Sequence, residues 1–175
     1  MPPSIPRYSQ YLDVRMRGWK SRSCGVVALK MIIDCYIPRA QRLSADDLIA
    51  LGLAREAYIP GVGWKHHGLV KLAEEFGLRG KNYDWASSTS DAALKKMHRY
   101  ASLPFLASVY KHFDPKNGGH LIVVTKVDRN AISYHEPASH IRGEIQKTVT
   151  LSLFLRGWKK RVIVVAPKIA KRKGR

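Results

Sequence analysis

The chain has 175 residues, of which 45% are hydrophobic, so it can bury one sizeable core, and no Pro/Gly/Ser-rich linker divides it. No run of about 18 apolar residues could cross a membrane, and the first residues lack the apolar stretch of a secretory signal. The net charge of +18 would attract acidic proteins, membranes or nucleic acid, but it does not define a fold. We therefore expect a single cytoplasmic domain over residues 1–167 and a disordered basic tail at 168–175.

The first predicted elements are two helices. Residues 24–36 are apolar almost all round and are followed by Pro38, a pattern typical of a central buried helix. Ser44, with Asp47 three residues later, resembles a capping arrangement and predicts the start of a second helix. Gly52 is expected to end this helix.

Two more helices are predicted before the strands begin. Apolar residues at helical spacing predict a third helix over 67–76, with Gly77 as its stop. Ser90 is expected to cap a fourth helix over residues 91–100.

From Leu103 onward the pattern changes to β-branched runs. These predict strands at 104–110, 120–127, 131–136 and 161–167, with a turn at 128–130. The sequence therefore predicts an α+β fold in which a helical N-terminal half packs on a C-terminal antiparallel sheet and leaves a cleft at the junction.

Two cysteines, Cys24 and Cys35, fall on the first predicted helix about 16 Å apart, too far to form a disulfide with each other. Cys24 begins the helix, where unpaired N–H groups and the helix dipole stabilise a thiolate. Gly25 lacks a side chain and would let a substrate carbonyl approach the sulfur. The alternative for Cys24, and the expected state of Cys35, is an inert buried thiol.

A histidine and a carboxylate are placed to assist such a cysteine. His120 follows two glycines and begins an apolar strand, which would put its ring at the mouth of the cleft. Glu136, sixteen residues later, is expected to return beside His120 across a hairpin and to orient the ring. Six other histidines compete with His120 for the role of base: His66, His67, His98, His112, His135 and His140.

Two further residues are candidates for the site. Gln10 is the only glutamine before Cys24 and could supply an oxyanion donor together with the Cys24 N–H. Trp64 is expected to pack near the cleft, either as a structural aromatic or as a substrate contact. The chain contains no Cys-x-x-Cys or His-Glu-x-x-His spacing, so neither a metal site nor a cofactor is predicted.

The ordered motifs YSQ, SCGVVALKM, GLVKLAEEFGL, NGGHLIVVTKV and FLRGW resemble the bacteriocin-processing (double-glycine) peptidase family of papain-like cysteine peptidases, over residues 5–167. The resemblance implies a bacterial enzyme with Cys24 as nucleophile, His120 as base and later acid, Glu136 as orienting residue and Gln10 in the oxyanion hole. Gly25, Trp64 and Gly119 are the expected substrate contacts. Two departures stand out: the family usually has Asp at the position of Glu136, and its best-known members, which cut leader peptides after two glycines, are fused to transporters.

Two functions follow from this pattern. In the first, the Cys24 thiolate attacks an amide carbonyl of a peptide or protein substrate, an acyl-thioester forms, and water releases it. In the second, the triad is weakened by Glu136, and the chain is a papain-like binding module that docks an acidic partner or nucleic acid through its basic surface.

Overall fold

A computed structural model describes residues 4–168, and within them five α-helices form. Their bounds are α1 (Cys24–Tyr36), α2 (Ala45–Ala54), α3 (His66–Glu75), α4 (Ser90–His98) and α5 (Leu151–Gly157). The first helix has the predicted bounds, and its residues from Gly25 to Cys35 are all buried. The apolar all-round pattern of this segment therefore does correspond to a central helix.

Six strands of the described chain form one antiparallel sheet in the order β3-β8-β4-β5-β6-β7. These strands are β3 (Leu78–Asp84), β4 (Phe105–Tyr110), β5 (Gly119–Val127), β6 (Ala131–His135), β7 (Gln146–Thr150) and β8 (Trp158–Pro167). A short separate ribbon pairs β1 (Tyr58–Ile59) with β2 (Gly63–Trp64). The last strand of the described residues, β8, lies inside the sheet between β3 and β4.

The sheet carries a hydrophobic core on each face, because alternate residues of a strand point to opposite sides. On β5, Leu121 and Val123 belong to the core that includes α1, α2 and α3. Ile122 and Val124 belong to the second core, which includes residues of α4 and α5. The predicted α+β class is confirmed, but the helices cover both faces of the sheet instead of forming one helical half.

A buried ion pair lies within α1. Lys30 Nζ is 2.7 Å from Asp34 Oδ2, one turn further along the helix, and both side chains are almost fully shielded from solvent. The Tyr8 hydroxyl donates to the same Asp34 oxygen at 2.9 Å. The two charges that interrupt the apolar pattern of α1 therefore neutralise each other and connect the N-terminal segment to the helix.

The cap of α2 was predicted correctly, but its end was not. Ser44 and Asp47 form a reciprocal capping box at the start of α2. Gly52 does not end the helix, which continues to Ala54. This glycine is needed where it lies because a Cβ there would come within 2.6 Å of Trp64 Cζ3.

The fourth helix begins one residue earlier than predicted. Thr89 is its N-cap and accepts a hydrogen bond from the Ala92 N–H at 3.2 Å, so Ser90 is already helical. The helix ends at His98 instead of Tyr100. Gly77 follows α3 with a φ of +81°, in agreement with its predicted role as a stop.

Four strands and one α-helix of the described chain were not predicted from the sequence: β1, β2, β3, β7 and α5. In the described part of the chain, no helix is long and apolar enough to span a bilayer. The cytoplasmic location stays a prediction, as does the domain boundary at residue 167. Apart from Lys168, the expected tail lies outside the described residues.

Candidate active site

The thiol of Cys24 lies at the N-terminal tip of α1. The N-cap residue Ser23 is fully buried and makes no side-chain capping hydrogen bond. The first-turn N–H groups of α1 therefore have no side-chain acceptor and direct their partial positive charge toward the sulfur. Cys35 lies at the opposite end of the same helix, in the core.

The surroundings of Cys24 favour its thiolate. Burial by itself would raise the pKa of the thiol, but the hydrogen bond and charge of His120 and the hydrogen bond from the Leu121 N–H outweigh it, so the pKa of Cys24 lies below its ordinary value. For Cys35, burial raises the pKa. Within the same helix, the pKa of Cys24 is therefore lowered and the pKa of Cys35 is raised.

His120 lies near the start of β5, where it pairs with Val109 of β4 and is 5% exposed. Its Nε2 atom is 2.5 Å from Glu136 Oε1, which leaves Nδ1 for the thiol of Cys24. Burial opposes the charged form of the ring, but the hydrogen bonds to Cys24 and Glu136 outweigh this effect and raise the pKa of His120 to about 10. A thiolate–imidazolium pair is therefore the favoured state near neutral pH.

Glu136 lies directly after β6, where the antiparallel pairing of β5 with β6 returns the chain to His120. The Oε1 atom that contacts His120 also accepts the Ala138 N–H at 2.8 Å, and the Glu136 N–H donates to Ile145 O at 2.7 Å. Burial would raise the pKa of Glu136, but His120 and the Ala138 N–H lower it overall. Although a glutamate side chain is one methylene longer than that of an aspartate, the carboxylate of Glu136 is in contact with the His120 ring.

Gln10 lies against the loop that carries Glu136. Its backbone N–H donates to Pro137 O at 2.7 Å, and the hydroxyl of Ser9 donates to Ser139 O at 2.5 Å. The side chain of Gln10 is 1% exposed, and its Oε1 atom has no hydrogen-bond partner among the described residues. The structure therefore ties Gln10 to the Glu136 loop, and its role as an oxyanion donor stays a prediction.

A cleft of about 670 Å³ opens beside Cys24 and His120. Trp64 and Gly119, both expected substrate contacts, line it. The Trp64 indole N–H donates to Arg22 O at 2.7 Å, and its ring packs against Trp19 and Tyr58. Trp64 is thus at once a packed structural aromatic and a wall of the cleft.

Gly25, the third expected substrate contact, does not line the cleft. It is buried, and a Cβ at this position would lie 3.0 Å from Leu121 Cδ1 and 3.1 Å from Trp64 Cβ. The absence of a side chain lets the tip of α1 approach Trp64 and β5 closely. Gly25 therefore contributes to the site through packing, which differs from the predicted access to the sulfur.

The remaining histidines lie elsewhere, with one exception. His66 lines the cleft, and its pKa is lowered by burial and by the charges of Arg161 and Lys159. His140 stacks on Tyr11 with ring centroids 3.9 Å apart. Within residues 4–168, no cluster of three or more His, Cys, Asp or Glu side chains could hold a metal ion.

Sequence reasoning missed two features of the site. The Leu121 N–H contacts the thiol because β5 runs past the tip of α1, which no local pattern reveals. Three cationic side chains, Arg22, Lys159 and Arg161, also line the cleft. Lys159 and Arg161 follow the FLRGW motif directly, but their direction depends on the shape of β8.

Comparison with known proteins gives a consistent result. The sequence matches the model of the Peptidase C39 family over residues 16–170. It matches none of the curated proteins with which it was compared.

Several solved structures share the fold. A C39-like peptidase from Bacillus anthracis is 14% identical with a TM-score of 0.62, over 96% of both chains. The peptidase domain of Streptococcus ComA, a bifunctional ABC transporter involved in quorum sensing, is 18% identical with a TM-score of 0.60, over 85% of this chain and 93% of that one. A double glycine motif protease from an AMS/PCAT transporter, in complex with the leader peptide, is 13% identical with a TM-score of 0.59, over 95% and 94%. At these identities the similarity shows the papain-like fold alone.

Proposed function

The chain belongs to the peptidase C39 family, and from this premise we propose that it is a cysteine peptidase in which Cys24, His120 and Glu136 act as a triad. The observation that carries the proposal is the chain of contacts from the helix tip to the carboxylate: the thiol of Cys24 hydrogen-bonds His120, and His120 Nε2 lies 2.5 Å from Glu136 Oε1. Nucleophile, base and orienting group are the three parts that such chemistry requires.

The reaction proceeds in two steps. The Cys24 thiolate attacks the carbonyl carbon of the scissile bond, and the C–N bond breaks as His120 gives its proton to the leaving amine, so that the acyl group remains bound to sulfur as a thioester. His120 then takes a proton from water, whose oxygen attacks the thioester carbon. The C–S bond breaks, which releases the carboxylic acid and restores the Cys24 thiolate. Glu136 holds the ring in one tautomer and stabilises its charged form in both steps.

The oxyanion that forms in each step needs donors. The Cys24 N–H at the first turn of α1 has no side-chain acceptor, and we propose that it acts with the side-chain amide of Gln10. Donors of this kind contribute about 3 kcal/mol each to the transition state in comparable sites. The hydrogen bond from Gln10 to Pro137 would hold this side chain in register with Glu136.

A peptide or protein is the proposed substrate. The cleft beside Cys24 has a volume of about 670 Å³, which suits a short extended segment. One structural neighbour was solved in complex with a leader peptide, which supports a peptide ligand for the shared fold.

The alternative of an inactive binding module had its main support in the replacement of Asp by Glu136. The contact of 2.5 Å between Glu136 and His120 removes this support, because the longer side chain still reaches the ring. The basic surface does not favour one class of partner over another.

Thiol reactivity tests the proposal directly. At pH 6, iodoacetamide should alkylate Cys24 at least about tenfold faster than Cys35, because only the pKa of Cys24 is lowered. His120→Asn should abolish the difference, whereas His98→Asn, on the exposed face of α4, should preserve it. Peptide mapping by mass spectrometry measures both rates in one sample.

Hydrolysis is the second measurement. Incubation with a mixture of defined peptides should yield cleavage products in the wild-type protein and none in Cys24→Ala. Equal labelling of both cysteines, together with the absence of any Cys24-dependent cleavage, would contradict the assignment.

A further inference from the structure

The cleft beside Cys24 has a marked imbalance of charge. Arg22, Lys159 and Arg161 line it together with His66, and none of its lining residues is an aspartate or a glutamate. Arg161 is partly neutralised by Asp84, whose Oδ2 lies 2.7 Å from its Nε. Among residues 4–168, neither Arg22 nor Lys159 forms an ion pair. A ligand in the cleft therefore meets cations that the chain itself does not neutralise.

Lys159 lies beside the residue that precedes His120. A Cβ at Gly119 would lie 3.3 Å from Lys159 Nζ, and Gly119 directly precedes His120. The ammonium also lies over the ring of Tyr110, 4.9 Å from its centroid. The positive charge is thus held in the cleft, between Tyr110 and the backbone of Gly119.

An irregularity of β8 produces this position. On β4, Ser108 pairs with Arg161 and the next residue, Val109, pairs with Trp158, so two residues of β8 have no partner across the ladder. These residues are Lys159 and Lys160, and Lys160 has a φ of +55°. Bulges beside active sites commonly redirect a side chain, and a left-handed backbone conformation is strained for a residue other than glycine.

The bulge separates the two lysines. Lys160 Nζ donates to Ser88 O at 2.7 Å, and Lys160 O accepts the Trp85 N–H at 2.9 Å, so this residue is held on the α4 side of the sheet. Lys159 is left to face the cleft. In a regular strand the side chain of Lys159 would point to the face of the sheet that strict alternation requires, and it would not be directed into the cleft in this way.

We propose that the bulge of β8 presents Lys159 as a specificity-determining residue, and that the cleft selects peptides whose bound segment carries a glutamate or aspartate side chain. The inference rests on the proposed peptidase function for the nature of the ligand. Lys159 supplies an uncompensated charge beside Gly119, and Arg22 and Arg161 extend the positive field along the cleft. The same carboxylate would favour the charged form of His66, which the charges of Arg161 and Lys159 disfavour.

The charge of the cleft can be measured with two reagents for Cys24. Iodoacetate is an anion and iodoacetamide is neutral, but both attack the same thiolate. The rate with iodoacetate divided by the rate with iodoacetamide is therefore independent of the thiolate fraction and reports the local electrostatic field. In the wild-type protein this ratio should exceed the ratio measured for N-acetylcysteine. Lys159→Gln should lower it about three- to tenfold, as expected for the loss of one charge near the sulfur.

Matched variants separate this effect from a general loss of charge. Lys126→Gln removes one charge from the other end of β5, where Lys126 pairs with Asp128, and should leave the ratio unchanged. Lys159→Arg keeps the charge and should retain most of the ratio. A ratio in Lys159→Gln within about 1.5-fold of the wild type, under the same conditions, would overturn the proposal.

Peptide binding tests the substrate class. Fluorescent peptides with a central Gly-Gly, blocked at both ends, are titrated against Cys24→Ala, with Glu or Gln placed in turn at each flanking position. At one or more positions Glu should bind at least about fivefold more tightly than Gln, and Lys159→Gln in the same background should remove the preference. Equal binding of Glu and Gln peptides at every position would overturn the inference, as would a Glu preference that Lys159→Gln leaves unchanged.

The two proposals fail in different ways. If the rate ratio and the Glu preference hold but no peptide is cleaved, the charged cleft stands and the peptidase function falls. If peptides are cleaved without any preference for a carboxylate, the peptidase function stands and this inference falls.

Discussion

The indole ring of Trp64 packs directly against Gly52 of α2, the helix that follows α1. A Cβ on Gly52 would come within 2.6 Å of Trp64 Cζ3 and within 3.2 Å of Leu72 Cδ1. Since Trp64 also forms one wall of the cleft beside Cys24, α2 supports this cleft although none of its residues lines it.

Gly52→Ala should therefore destabilise the protein although alanine is the better helix former. The substitution gains about 1 kcal/mol in helix propensity, but overpacking against a rigid ring costs about 1–3 kcal/mol. We expect a net loss of about 1 kcal/mol, measured by urea denaturation. Gly143→Ala is the control, because a Cβ there has open space, and it should change stability by less than about 0.5 kcal/mol. A stabilised Gly52→Ala variant would show that Trp64 can move aside.

Lys30→Met should destabilise the protein strongly. The substitution leaves Asp34 charged and buried with only the Tyr8 hydroxyl as donor, and the loss of one partner from a buried pair costs about 3–5 kcal/mol. Urea denaturation measures the effect. The double variant Lys30→Met/Asp34→Leu should recover much of the loss, since no charge is then left unpaired. A single variant within 1 kcal/mol of the wild type, on the same scale, would contradict this account of the pair.

The part of the site that could be predicted from the sequence is the part defined by local order along the chain. His120 and Glu136 lie at matching ends of two strands joined by a turn, sixteen residues apart, whereas Cys24 is distant from both in the sequence and is associated with them only through the order of the motifs. The contact between His120 and Glu136 follows from that spacing, because antiparallel strands return the chain to its starting level.

Other features depend on partners that are distant in sequence. The β3 segment contains Gly80 and several polar residues, so its pattern alone does not indicate a strand, and its extended form comes from pairing with β8. The same pairing extends the sheet so that α4 can cover its second face. The direction of the Lys159 side chain could not be predicted for a related reason, because it depends on the shift in register between β4 and β8.

Glu136→Gln should lower the pKa of His120. Part of the elevated pKa of this ring comes from its hydrogen bond and charge interaction with Glu136, and loss of an adjacent carboxylate charge lowers a histidine pKa by about 1–3 pH units. The imidazolium is present below this pKa and lost above it, so the alkaline limit of hydrolysis should move to lower pH. NMR titration of the His120 ring measures the change without a substrate. Glu144→Gln, at an exposed position, is the control; an unchanged midpoint in Glu136→Gln would exclude the electrostatic role.

Gln10→Ala should separate oxyanion stabilisation from thiol activation. The loss of one oxyanion donor lowers kcat by about 10²–10³-fold. Alkylation of Cys24 by iodoacetamide develops no carbonyl oxyanion, so its rate should fall far less than hydrolysis does. Gln146→Ala, at an exposed glutamine of β7, should affect neither rate. Parallel losses of both rates in Gln10→Ala would instead indicate that Gln10 acts by holding the Glu136 loop.

The interior position of β8 has a consequence for how the protein is made. In this sheet the edge strand β3 pairs only with β8, so the residues of β3 have no hydrogen-bonding partner strand until β8 has been synthesised. Nearly all of the described chain must therefore leave the ribosome before the sheet can form completely. A nascent chain that has not yet reached β8 lacks Lys159 and Arg161, so the cleft beside Cys24 is complete only after translation has passed that strand.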